Sequence, residues 1–157
     1  MSSARCDGPT YMNERDPALE PFDALIGTWT TEATHPQIDV VVPGSTTYEW
    51  LEGRRFLQQR TRNDHESFPD AIGVIGAPED GDGLVLEYFD SRGVRRTYGV
   101  SLDGGVLRFW REHPGFAQRF SATLGRDRFE GQWQLAKTPG EWQDDLKVIY
   151  RRQPPRA

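Results

Sequence analysis

Leu25-Ile26-Gly27-Thr28-Trp29-Thr30 decides the fold, because a short apolar approach ends there in Gly-x-Trp and strand follows strand afterwards. Just upstream, Asp16-Pro17 has the form of a helix start with proline at its first position, and Ala18, Leu19, Phe22, Leu25 and Ile26 make an apolar stripe. Pro21 keeps any such helix short. A plug or lid is therefore expected here, with Trp29 closing one end of the structure behind it.

After Trp29 the apolar residues recur at every second position. Clusters of Gly, Asp, Asn and Pro interrupt them at intervals of about ten residues, the pattern of a meandering antiparallel sheet. Strands are predicted near 27–34, 45–51, 54–63, 71–76, 83–89, 94–102, 105–111, 117–124, 128–135 and 142–151. Glu52-Gly53, Asp90-Ser91-Arg92-Gly93, Asp103-Gly104-Gly105 and Thr138-Pro139-Gly140 have hairpin chemistry. A sheet of about ten twisted strands curls, and closure removes its edges. The expected class is all-β: a closed antiparallel up-and-down barrel of about ten strands with a short N-terminal helix or plug. A single domain is expected over 16–152, with tails at 1–15 and 153–157.

The chain has 157 residues, a one-domain length. A net charge of −5 without a basic block argues against nucleic acid as a partner. No apolar run approaches the roughly 20 residues that cross a bilayer. Met1 to Asp16 lacks a basic start followed by an apolar stretch, so a cytoplasmic protein is expected. Cys6 is the single cysteine, which excludes an intrachain disulfide and a thiolate cluster. There is no nucleophile elbow, no phosphate-cradling loop and no dinucleotide fingerprint.

Phe22-Asp23-Ala24-Leu25-Ile26-Gly27-Thr28-Trp29, followed by His35-Pro36, resembles the opening of the nitrobindin and lipocalin-like (calycin) barrels. Tyr48-Glu49-Trp50, with Phe56-Leu57-Gln58-Gln59-Arg60-Thr61 after it, resembles their next hairpin. The likeness spans the first half of the barrel, and the sequence is also similar to lipocalin-like domains of actinobacteria. It implies a tryptophan packed across the closed end of a barrel. In nitrobindins a histidine near the C-terminal strands holds haem iron. The histidines here are His35, His65 and His113, and residues 128–157 contain none, so that part of the pattern is not met.

Strand parity proposes an interior, since the more apolar set of an alternating strand faces the inside of a small barrel. Trp142, Asp144, Leu146, Val148 and Tyr150 share one side, which puts Asp144 inside. Arg96 and Tyr98 fall with Val94 and Val100, Tyr88 with Leu84 and Leu86, Gln118 with Phe120 and Ala122, and Trp133 with Phe129. For 54–63 the set Phe56, Gln58, Arg60 and Arg62 is favoured, whereas neither register wins for 106–111. A buried guanidinium or carboxylate must be paired, solvated or met by a ligand.

The leading expectation is a binding protein for a small, largely apolar molecule with a polar or acidic head group. Arg96, Tyr98, Tyr88, Gln118, Asp144 and Arg60 would give polar contacts, and Trp110, Trp133 and Trp142 the apolar lining. The alternative is a cofactor-independent isomerase, cyclase or lyase, with Asp144 or His65 moving a proton and Arg96 or a tyrosine steadying negative charge. Haem binding is a third reading. No metal signature is present, no cofactor is expected, and the chain is taken as a monomer or homodimer.

Overall fold

The computed structural model describes residues 15–79 and 81–154, so the expected tails lie almost wholly outside the described residues. A 3-10 helix, Pro17–Leu25, leads into β1 (Gly27–His35), β2 (Ile38–Trp50), β3 (Leu57–Asn63), β4 (Ala71–Gly76) and β5 (Leu84–Asp90). The chain continues through β6 (Arg95–Asp103), β7 (Val106–Arg111), β8 (Ala117–Thr123), β9 (Arg128–Ala136) and β10 (Gln143–Arg152). Each strand pairs antiparallel with its sequence neighbours, and β1 pairs with β10 to close the barrel. Closure satisfies the backbone groups that an edge would leave open.

The observed bounds differ from the expected ones mainly in β2 and β3. Pro43-Gly44 has turn chemistry in the sequence, yet β2 runs through it from Ile38, pairing Pro43 with Glu32 and Val42 with Ala33. Pro43 gives the ladder no N–H, and its carbonyl accepts a hydrogen bond from the Asp64 N–H at 2.9 Å.

One end of the barrel is sealed by the helix. Asp16 Oδ1 accepts from the Ala18 N–H at 2.9 Å, proline takes the first helical position, and Leu19, Phe22 and Leu25 are buried. Trp29, fully buried, donates its indole N–H to the Leu25 carbonyl at 2.9 Å and meets the Phe129 ring edge-on at 4.9 Å. Arg152 covers the Trp29 ring and binds backbone: its guanidinium donates to the carbonyls of Ala24, Ile26 and Arg126 while its carbon sits 4.2 Å from the Trp29 ring centroid. Gly27, at φ +125°, takes a backbone conformation that side chains disfavour, and a Cβ there would come 3.1 Å from Arg152 Nη1. The glycine and tryptophan of the opening motif thus serve one joint.

At the other end the loop 64–70 folds over the barrel. It is tied by Asn63 N–H to Asp70 Oδ1 and by Asn63 Nδ2 to the Pro69 carbonyl, each at 2.9 Å. Phe68, 4% exposed, packs from this loop onto Ala33 and Val42.

A bulge in β10 decides which acid faces inward. Asp144 pairs with Gln134 but Lys147 with Gln132, so Asp145 and Leu146 together stand opposite Trp133. The Gln132 side-chain amide secures the irregular backbone, donating to the carbonyls of Trp133, Asp145 and Leu146 at 2.8, 3.3 and 3.3 Å.

Candidate functional site

Between the aromatic core and the loop 64–70 lies a cavity of about 380 Å³. This is within the usual range for a small-molecule site. One wall is aromatic. Phe109 stacks on Phe120 with centroids 5.1 Å apart, Trp133 meets Phe120 at 5.1 Å, and Tyr98 meets Trp133 edge-on at 5.5 Å. The facing wall, from β1 to β3, is polar and carries Thr31, Thr46, Gln59, Thr61 and Asn63.

Arg96, Tyr98 and Gln118 converge as parity expects. The Gln118 carbonyl oxygen accepts from the Tyr98 hydroxyl at 3.0 Å and from Arg96 Nη1 at 3.3 Å. The guanidinium also lies 5.3 Å from the Phe116 ring centroid. Among the described residues no carboxylate pairs with Arg96; its polar partners are neutral, the Gln118 amide and the Tyr98 hydroxyl. Burial raises the Tyr98 phenol above its ordinary value, with the Arg96 charge opposing.

Tyr88 lines the same cavity but has committed its hydroxyl, which donates to Asp90 Oδ2 at 2.7 Å beside Arg92 Nη2 at 2.6 Å. Burial would raise the Asp90 carboxyl, yet the hydrogen bonds from Arg92 and Tyr88 outweigh it and hold the group at about 2. Trp133 is in the aromatic wall, as expected.

The remaining candidates lie elsewhere. Asp144 is exposed and accepts from Gln134 Nε2 at 2.9 Å, because the bulge reverses the parity of β10 upstream of Lys147. Trp142 is outside with it, beneath the Arg119 guanidinium at 4.0 Å. Arg60 is exposed too: β3 turns Leu57, Gln59, Thr61 and Asn63 inward, so the inner residues there are mostly polar and apolarity chose the wrong side. Trp110 is 43% exposed and lies across Gly99 on the outer surface, in an open groove shared with Arg95 and Thr97. His65 stands in the loop 64–70, its Nδ1 accepting from the Ser67 N–H at 3.0 Å, and does not line the cavity.

The bulge brings in two residues that parity left out. Asp145 faces the cavity, and His35 Nε2 lies 3.0 Å from its Oδ1. His35 Nδ1 accepts from the Gln37 N–H at 3.0 Å, so that nitrogen carries no hydrogen and Nε2 is the donor to Asp145. Asp145 Oδ2 makes no hydrogen bond among the described residues. The sequence signal for a bulge here is weak: two adjacent acids, Asp144-Asp145, interrupt the alternation of β10.

Haem does not fit these residues. Of the histidines, only His35 lines the cavity, and both its nitrogens are already engaged, while His65 and His113 lie outside it. Among the described residues no group of His, Cys, Asp and Glu is placed to hold a metal ion. No helix among them is long and apolar enough to cross a membrane.

No family model and no curated protein matches the sequence. Among solved structures, Rv2717c from M. tuberculosis superposes with a TM-score of 0.61, covering 90% of this chain and 100% of that one at 19% identity. The two share a fold. The barrel is calycin-like in architecture, and at this identity the likeness extends no further.

Proposed function

We propose that the barrel binds a small, largely apolar molecule whose acidic or carbonyl-bearing head group meets Arg96. The observation that carries this reading is the half-buried guanidinium, lining a cavity beside an aromatic wall with neutral polar partners, Gln118 and Tyr98, and no carboxylate among the described residues. A guanidinium presents donors in a planar fork suited to a carboxylate, and Gln118 occupies one arm. The resemblance to lipocalin-like barrels supports the same reading. Native mass spectrometry of protein purified from its own host tests it by looking for a retained small acid. Arg96→Ala should then weaken uptake of that acid far more than it lowers stability, and equal affinity in the variant would remove Arg96 from the site.

A second reading, a cofactor-independent isomerase, cyclase or lyase, is favoured by Asp145. Its free oxygen faces the cavity while His35 fixes the other, an arrangement suited to a proton acceptor. Arg96 would stabilise the negative charge that develops on the substrate. Turnover of the retained molecule that is lost in Asp145→Asn and kept in Asp144→Asn supports the enzyme; tight binding without turnover supports the carrier.

A further inference from the structure

The polar wall holds a hydroxyl that the protein leaves unused. Thr31 is 4% exposed and lines the cavity, yet its Oγ1 is the buried side-chain polar atom without a hydrogen-bond partner among the described residues. Its neighbours have found theirs: Thr46 Oγ1 is 3.0 Å from Thr61 Oγ1, and Gln59 Nε2 donates to the Tyr48 hydroxyl at 2.9 Å. Gly44, paired with Thr31 across β1 and β2, lets the backbone pass close to this hydroxyl, since a Cβ there would come 2.9 Å from Thr31 Oγ1 and would run into the Arg62 carbonyl. An orphaned buried hydroxyl is a standing cost unless something else supplies its bond.

Arg96 is on β6 and Gln118 on β8, whereas Thr31 is on β1, across the ring of strands. We infer that Thr31 Oγ1 is a second recognition point in the same cavity, and that the ligand is bifunctional. It carries an acid or carbonyl at one edge for Arg96 and a hydroxyl or amine at the opposite edge for Thr31, with an apolar body against Phe109, Phe120 and Trp133. This rests on the binding function proposed above and adds the chemical class of what is bound.

Matched probes test it: naphthoic acid against hydroxynaphthoic acid, and decanoic acid against ω-hydroxydecanoic acid, titrated by calorimetry. The hydroxylated member of at least one pair should bind about tenfold more tightly, the value of one hydrogen bond made in a dry site. Thr31→Val should erase that preference while leaving the melting temperature unchanged or higher, because the lost hydroxyl bonds nothing in the protein. Arg96→Ala should weaken both members of a pair together and keep their ratio. Equal affinities within both pairs in the unaltered protein, the outcome if water alone serves Thr31, would overturn the assignment. So would a preference that survives Thr31→Val, or a marked fall in melting temperature in that variant. If none of the acids binds the unaltered protein, the binding reading itself falls and this inference with it.

Discussion

His35 Nε2 stands 3.0 Å from Asp145 Oδ1 across the seam where β1 meets β10, and the extra residue in β10 is what makes the pair. Without the bulge Asp145 would face solvent and Asp144 the cavity. Both side chains of the pair are largely buried, at 24% and 20% exposed. A small irregularity in backbone pairing therefore selects the acid available to a ligand.

Replacing each acid separately tests that placement. Asp145→Ala leaves the His35 N–H without an acceptor and should cost about 1–3 kcal/mol in urea unfolding. Asp144→Ala loses an exposed contact to Gln134 and should stay within about 0.5 kcal/mol. The reverse order would mean that β10 carries no bulge.

The joint at the sealed end gives a second prediction. Arg152→Leu strips donors from the carbonyls of Ala24, Ile26 and Arg126 at once, and should destabilise by about 2–3 kcal/mol. Arg152→Lys keeps the charge, but a single ammonium cannot span the same carbonyls, so it should recover less than half of the loss. The near-ultraviolet circular dichroism of Trp29 should weaken in both variants. An unchanged signal with full stability would show that the helix seats without Arg152.

Much of the architecture was legible in the sequence because alternation, turn residues and the Gly-x-Trp opening all point to one closed barrel. The site was legible only where the inner residues are apolar. Arg96, Tyr98 and Gln118 come in with Val100, Phe120 and Ala122, whose greasy sides mark the interior. On β3 the inner set is Leu57, Gln59, Thr61 and Asn63, so counting apolar residues could not find it. Trp110 misled for the opposite reason: it is a large ring spent on covering Gly99 from outside. Asp145 depended on a break in register, and a period-two count assumes there is none.

The glycines offer a third test. A Cβ at Gly44 would run into the Arg62 backbone carbonyl, which the β2–β3 ladder holds in place. The nearest atoms that a Cβ at Gly99 would meet belong to the exposed Trp110 indole, which can swing away. Gly44→Ala should therefore cost about 1–3 kcal/mol and Gly99→Ala less than about 1 kcal/mol, by urea unfolding. Equal costs would show that β2 and β3 can separate at Gly44.

The buried phenols fix how stability changes with pH. Burial pushes Tyr48, Tyr98 and Tyr150 above the ordinary value of 10.0, so the folded chain keeps protons that the unfolded chain releases. Their contribution is complete below about pH 10 and is lost as pH climbs toward the folded values, each phenol adding a slope of up to about 1.4 kcal/mol per pH unit. Asp90 acts at the acid end with the opposite sign. Its carboxyl is held at about 2 against an ordinary 3.8, so that stability is present above 3.8 and is lost as pH falls toward 2. Urea midpoints should accordingly form a plateau with a steep alkaline limb, and Tyr150→Phe should flatten that limb by about one proton's worth of slope. A midpoint that stays level between about pH 10 and 12 would mean that the phenols ionise inside the folded barrel, which only a water-filled interior allows.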